Sequence, residues 1–323
     1  MGDNSDGATA GRTLSWASLV VIYIVWGTTY LAIRVGVRDV PPLFFAGLRF
    51  IVAGALLYPF ARRSRHTKPA SAERSGSGVR AWIGAGVVGV LLLAGGNGGV
   101  TYAETRLPSG LSALFIATVP LWMTVFSRLL QHHAITWRKV VGLVTGLGGV
   151  AILLGNVAAK GHLLYIVVAL GAAVCWGLGS VLSYQLATPD DTVLASAIEM
   201  LVGGIALLAV AGVTGEFGHV RWSAIAATSW ISWVYLVLFG SILAFTAYQY
   251  ALTHLPITTV STYAFVNPVV ALFAGAIFLG ERITLRELAG AALVVASIII
   301  IQTRGGRVRV PATSSSSEGD ARS

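Results

Sequence analysis

Two ionisable residues stand where charge is expensive. Arg49 lies within the apolar run Leu43–Phe60 and Glu199 within Thr192–Val213. A charge at mid-membrane costs about 3 kcal/mol on insertion scales and by default marks function. The uncharged chemistry around them is aromatic and amide: Trp26, Tyr30, Asn97, Trp176, Tyr248, Tyr263 and Asn267 all fall inside apolar runs. Trp26 and Trp176 are each followed by glycine, Asn97 sits in Gly95-Gly96-Asn97-Gly98-Gly99, and Asn267 precedes Pro268. Ring faces attract cationic and aromatic ligands, and glycine or proline loosens the helix beside them. These seven residues are the candidates for lining a substrate path.

For Arg49 and Glu199 three readings stand side by side. They pair across the two halves of the chain, leaving a neutral site, or each meets polar groups within its own half and holds the bundle together. Alternatively one of them touches substrate or carries a proton. The structural readings weigh more, because the glutamate is matched by an arginine and not by a second acid.

Catalytic chemistry finds less. No nucleophile–base pair is legible. His66, His132, His133, His162, His219 and His254 fall in loops or at span ends without a ligand-spaced partner. The glycine run around Asn97 lacks the strand before it and the lysine after it that a phosphate loop needs. The reading is therefore a non-enzyme with no catalytic residue, no metal and no cofactor. Lone Cys175, in an apolar segment, reads as a small buried thiol.

The elements that must position these residues are membrane helices. The chain has 323 residues, 55% hydrophobic and 11% charged, against roughly 25% charged in soluble domains. Lipid must take up that apolar surface. The net charge of +9 sits in loops between apolar runs, which argues against nucleic acid. About 20 apolar residues at 1.5 Å rise cross a bilayer, and ten such spans are expected. They run Trp16–Val37, Leu43–Phe60, Ala81–Ala103, Ser109–Leu130 and Trp137–Gly155, then Leu163–Tyr184, Thr192–Val213, Trp230–Leu252, Ile257–Leu279 and Leu285–Ile301. Residues 1–15 read as a polar tail before an uncleaved anchor, and 303–323, with Ser314–Ser317, as a disordered tail.

The spans repeat. Trp26-Gly27 is answered by Trp176-Gly177, Arg49 by Glu199, Tyr102 by Tyr250, Pro108 by Pro256 and Pro120 by Pro268, each about 150 residues later. Residues 16–155 and 163–302 are thus two five-span copies. An odd number of spans requires the copies to be inverted, and inverted halves with broken helices belong to secondary transporters. Pro120 and Pro268 are the expected breaks, since a mid-helix proline removes a backbone bond. Of the Lys and Arg residues outside the spans, twice as many fall on the side of the termini as on the other. Both termini are therefore expected in the cytoplasm.

Trp26-Gly27-Thr28-Thr29-Tyr30, Pro41-Pro42 before Gly47-Leu48-Arg49-Phe50, Gly96-Asn97, Pro108-Ser109-Gly110 and Ala117-Thr118-Val119-Pro120 resemble the EamA-type drug/metabolite transporters. So do Ala197-Ile198-Glu199-Met200-Leu201, Phe239-Gly240-Ser241 and Tyr263–Glu281. The likeness runs from Trp16 to Gln302. It implies an all-α integral membrane protein, ten transmembrane helices in two inverted EamA repeats around a central cavity. It also implies secondary-active transport in the cell membrane, commonly export of amino acids or related small metabolites. Small multidrug relatives couple protons through a first-helix carboxylate, which this chain lacks. The expected partners are membrane lipids and a small-molecule substrate, with a homodimer left open. A lipid-modifying membrane enzyme and a non-transporting scaffold are the rival readings.

Overall fold

In lipid a chain of apolar runs can satisfy its backbone only by helices or a closed barrel. The computed structural model describes residues 3–65, 78–131, 137–157, 162–255 and 257–302, and among them it is helical with no strand. The main helices are α1 (Asp3–Gly36), α2 (Pro42–Arg65), α3 (Val79–Ala103), α4 (Ser109–Gln131) and α5 (Trp137–Val157). The second half gives α6 (Leu163–Leu182), α7 (Thr192–Val213), α8 (Ala227–His254), α9 (Tyr263–Leu279) and α10 (Leu285–Gln302). Among the described residues seven helices are long and apolar enough to cross a membrane: α1 from Thr13, α2 to Ala61, α3, α4, α6, α7 and α8. Pro256, His66, His132, His133 and the tail 303–323 lie outside the described residues. Helix α1 begins at Asp3, well inside the stretch expected as a tail.

Local chemistry sets the ends. Asp191 accepts from Val193 and Leu194 N–H at 2.8 and 3.1 Å and so starts α7. Gly280, at φ 65°, ends α9 and lets the Glu281 N–H turn back to the Gly275 carbonyl at 3.2 Å.

Three of these helices depart from the regular pattern. Helix α4 is interrupted at Ala117-Thr118, just before Pro120. Pro268 does not break its helix, contrary to expectation: it sits inside continuous α9, and the interruption falls earlier, at Ser261-Thr262. Asn267, beside the proline, donates its side-chain amide to the Tyr263 and Tyr23 carbonyls at 3.2 Å each once its ends are assigned by their partners. Helices α3 and α8 each contain a π-helical stretch, Val90–Gly98 and Leu236–Leu243, at matching places in the two repeats. The first contains the glycines that flank Asn97.

Small residues bring the helices together. A Cβ on Gly47, Gly54 or Gly204 would press into the α2–α7 contact, and one on Gly149 would meet the Gly290 carbonyl of α10 at 3.0 Å. Gly95 makes room for Cys175, whose thiol is half-buried, not fully buried as expected. The contacts at Gly27 and Gly177 are reciprocal. A Cβ on Gly27 of α1 would stand 2.5 Å from Val270 Cβ in α9, and one on Gly177 of α6 would stand 2.8 Å from Trp122 Cβ in α4. Gly27 matches Gly177, and Trp122 matches Val270, so each copy makes the same contact with the other.

Candidate functional site

Where those reciprocal contacts cross, four rings meet. Trp26 of α1 lies 5.4 Å from Trp176 of α6 and 5.3 Å from Tyr263 of α9, both edge-to-face. Tyr248 of α8 packs 4.9 Å from Trp26, 5.9 Å from Trp176 and 5.8 Å from Tyr263. The equivalent tryptophans of the two repeats therefore touch. Polar tips hold the rings in place: Trp26 Nε1 donates to the Gly240 carbonyl at 3.2 Å, and the Tyr248 hydroxyl bonds Ser180 Oγ at 2.8 Å. The Gly240 contact falls on the π-helical stretch of α8, the kind of irregularity that recurs at functional sites.

A narrow cavity opens beside the rings. Trp26, Thr29, Tyr30, Ile33, Asn97, Val100, Ile116, Trp176, Tyr263 and Asn267 line it. Six of the seven candidate residues are thus gathered around one space. The seventh, Tyr248, stands behind the rings instead of on the wall.

Arg49 and Glu199 are both buried, and no ion pair joins them. Arg49 Nε donates to Ser241 Oγ at 2.7 Å and its Nη1 to Asn97 Oδ1 at 3.4 Å, while its guanidinium lies 4.7 Å from the Phe50 ring centre. The arginine thereby ties the two π-helical stretches together. Glu199 accepts from Gln249 Nε2. Each charge meets neutral polar groups, Glu199 within its own repeat and Arg49 across both.

One end of the bundle carries a charge cluster that sequence reasoning missed. Three carboxylates there reach from one repeat to a helix start in the other. Asp39 accepts from Ala226 N–H at 3.1 Å and Ser229 Oγ at 2.6 Å, at the start of α8. Glu216 accepts from Phe44 N–H at 2.8 Å in α2, and burial raises its pKa against the pull of that bond. Glu281 accepts from Ser109 N–H at 3.1 Å and Ser109 Oγ at 2.7 Å, at the start of α4. Carboxylates belong at helix N-termini, where unpaired N–H groups and the dipole favour negative charge. At the same end Glu104, just past the end of α3, is fully buried with neither carboxyl oxygen hydrogen-bonded. Burial holds its pKa well above the ordinary carboxylate range, with Arg34 drawing it down and Glu281 pushing it up. Glu104 falls between two expected spans and was not among the residues singled out from the sequence. The available signal was how little polar sequence separates it from the apolar run before it.

Helices of membrane-spanning length, two interlocked copies and a cavity between them define a multi-pass helical membrane protein. The chain matches the EamA-like transporter family twice, over residues 14–155 and 163–303, and belongs to that family. It is 35% identical over 290 residues to the inner membrane transporter YedA of Escherichia coli strain K12, covering 88% of this chain and 90% of YedA. It is 29% identical over 303 residues to the transporter YvbV of Bacillus subtilis strain 168, covering 91% and 93% of the two chains. A protein of known crystal structure shares the fold, with a TM-score of 0.61 over 90% of this chain and 97% of its own, at 19% identity.

Proposed function

We propose that the chain is a secondary-active transporter of the cell membrane that exports small metabolites, amino acids or related compounds, by alternating access. In this reading α1–α10 all cross the bilayer, α1–α5 and α6–α10 form two inverted repeats, and both termini are cytoplasmic. The Arg34 end of the bundle then faces outward. The observation that carries the reading is the meeting of Trp26 with Trp176 beside the shared cavity. A site built from equivalent positions straddles the repeat interface, so rocking one repeat against the other exposes it to either side in turn. The walls are mostly apolar and aromatic with two amides, which suits a small molecule carrying a ring or a cationic group.

In this conformation the cavity has room for water but not for a metabolite, so an end must open. At the Arg34 end the three inter-repeat caps must part. At about 1 kcal/mol per cap, the sum is a few kcal/mol, the gap at which a minor conformer is populated at about 0.1–10%. The test is counterflow in liposomes: purified protein, vesicles preloaded with each member of an amino-acid panel, and uptake of the labelled compound. Uptake above protein-free vesicles for at least one compound is expected. Correctly folded, inserted protein that moves none of the panel would overturn the export of amino acids.

A further inference from the structure

The Arg34 end holds a buried acid that the transport reading does not use. Glu104 has neither a solvent-exposed surface nor a hydrogen bond on either carboxyl oxygen. The titratable groups acting on it are Tyr30 and Arg34 of α1 and Glu281 of the α9–α10 connection. Two of these are already engaged. Arg34 donates a guanidinium N–H to the Glu104 backbone carbonyl, and Glu281 holds Ser109. Tyr30 lines the cavity, so acid and cavity share a neighbour.

The opposite end supplies the control. Arg34 and Glu104 correspond in the second repeat to Tyr184 and Leu252, and there the Tyr184 hydroxyl donates to the Leu252 carbonyl at 3.2 Å. The same side-chain-to-backbone bond joins the first and third helices of each repeat. A leucine meets the folding requirement at this position, and the carboxyl at 104 is an addition to it. A buried carboxylate without a partner is far costlier than a neutral acid in the same place.

We propose that Glu104 is a proton-binding site that gates this end of the path, protonated while the end is closed and ionised when it opens. On opening, water reaches the carboxyl. The O–H bond breaks with its electron pair left on the carboxylate oxygen, the proton passes to that water, and the Arg34 guanidinium becomes the counter-ion. Closing requires the proton to return, so acid holds this end shut and alkali frees it. The gate rests on the alternating-access reading, whereas the proton site does not.

Infrared spectra of the purified protein in lipid nanodiscs across a pH series read the protonated carboxyl directly. A buried-acid C=O signal is expected at neutral pH, with a component that is lost in Glu104→Gln and Glu104→Leu and retained in Glu199→Gln. The leucine variant copies position 252 and serves if the glutamine variant fails to fold. A neutral-pH spectrum that neither substitution changes would mean that Glu104 is ionised, and would overturn the site. The gate is read by a cysteine at Ile33 on the cavity wall, in a Cys175→Ala background, with a membrane-impermeant thiol reagent. Its labelling should rise several-fold above the pH at which the band is lost, beyond the rise seen with Glu104→Leu added. Equal pH responses in the two backgrounds would overturn the gate. A pH-dependent band together with a failed counterflow assay would count against transport alone.

Discussion

Arg49 and Glu199 hold equivalent positions in the two repeats and carry opposite charge, so pairing them is the natural guess. The α2–α7 packing argues against it in a way that can be measured. A Cβ on Gly47 would meet Leu208, one on Gly204 would meet Ile51, and one on Gly54 would meet Leu201 and the Ala197 carbonyl. The two helices are thus antiparallel, with Glu199 level with Gly54 and about five residues from the level of Arg49. At 1.5 Å per residue that is about 8 Å along the axis. Two unit charges about 10 Å apart at an effective dielectric of about 20 interact by about 1.7 kcal/mol. Breaking a contacting buried pair costs about 3–5 kcal/mol. The perturbation is a double-mutant cycle of Arg49→Met and Glu199→Gln, read by equilibrium unfolding in mixed micelles. Arg49→Met removes the bonds to Ser241 and Asn97, about 1.5–3 kcal/mol for a bond to a charged group, partly offset by relief from burying the charge. The coupling between the two substitutions should stay below about 2 kcal/mol, and exchanging the charges between the two positions should rescue nothing. A coupling of about 3 kcal/mol or more, or a stable charge-swapped protein, would refute this geometry.

Alanine at Trp26, Asn97, Trp176, Tyr248, Tyr263 or Asn267 should lower flux at normal expression, by about 0.5–1.5 kcal/mol of lost ligand contact per ring, and unchanged flux in all six would remove them from the path. Gly27→Ala drives a methyl into Val270 and should destabilise by about 1–3 kcal/mol, with Val270→Ala recovering part of the loss in thermal unfolding. A reporter after Thr303 should be cytoplasmic and one within Gly215–Val220 external; accessibility of both from outside intact cells would contradict the ten-span arrangement. Because the folded-state pKa of Glu104 is raised, the native state holds a proton that the unfolded state has lost. Stability should therefore fall as pH rises above the ordinary carboxylate range, by up to about 1.4 kcal/mol per pH unit, until the folded-state pKa is passed. Glu104→Leu should flatten that part of the curve, and an unchanged slope would show that the acid is not buried as described.

The spans were legible because lipid leaves few alternatives: an apolar run of sufficient length between Pro- or Gly-marked turns becomes a helix. The repeat was legible because Trp26-Gly27 and Trp176-Gly177 keep their spacing from the prolines that follow. That the two tryptophans touch was not legible, since similarity between copies says nothing about where their faces meet. Pro268 misled because a mid-helix proline removes a backbone bond wherever it sits, but removing one bond does not by itself end a helix. In α9 the Asn267 amide serves nearby carbonyls, the helix runs on, and the interruption moves to Ser261-Thr262. The π-helical stretch of α3 had a cue in its glycines, but the one in α8 has only Gly240. The caps by Asp39, Glu216 and Glu281 were invisible, because each joins a loop of one repeat to a helix start of the other and sequence distance hides the contact.

In the proposed inverted arrangement the two ends of the bundle are built from corresponding positions but held by different forces. At the Arg34 end three carboxylate caps cross between repeats, Glu287 caps its own helix at Thr284, and Glu104, with no hydrogen bond on its carboxyl, lies near Arg34 and Glu281. At the other end Asp191 caps its own helix, and the bond equivalent to that of Arg34 is made by a neutral tyrosine. There the close contacts are steric, as where a Cβ on Gly84 would stand 2.0 Å from the Ala187 carbonyl. Electrostatic caps at a partly exposed surface weaken with salt, whereas packing contacts do not. If the fold closes each end by the same rocking motion, the Arg34 end is the one whose closure can be tuned by the medium it faces. Raising ionic strength should then increase labelling of a cysteine at Ile33 and leave labelling from the Tyr184 end unchanged. Equal responses at both ends would mean that packing, and not charge, holds the Arg34 end shut.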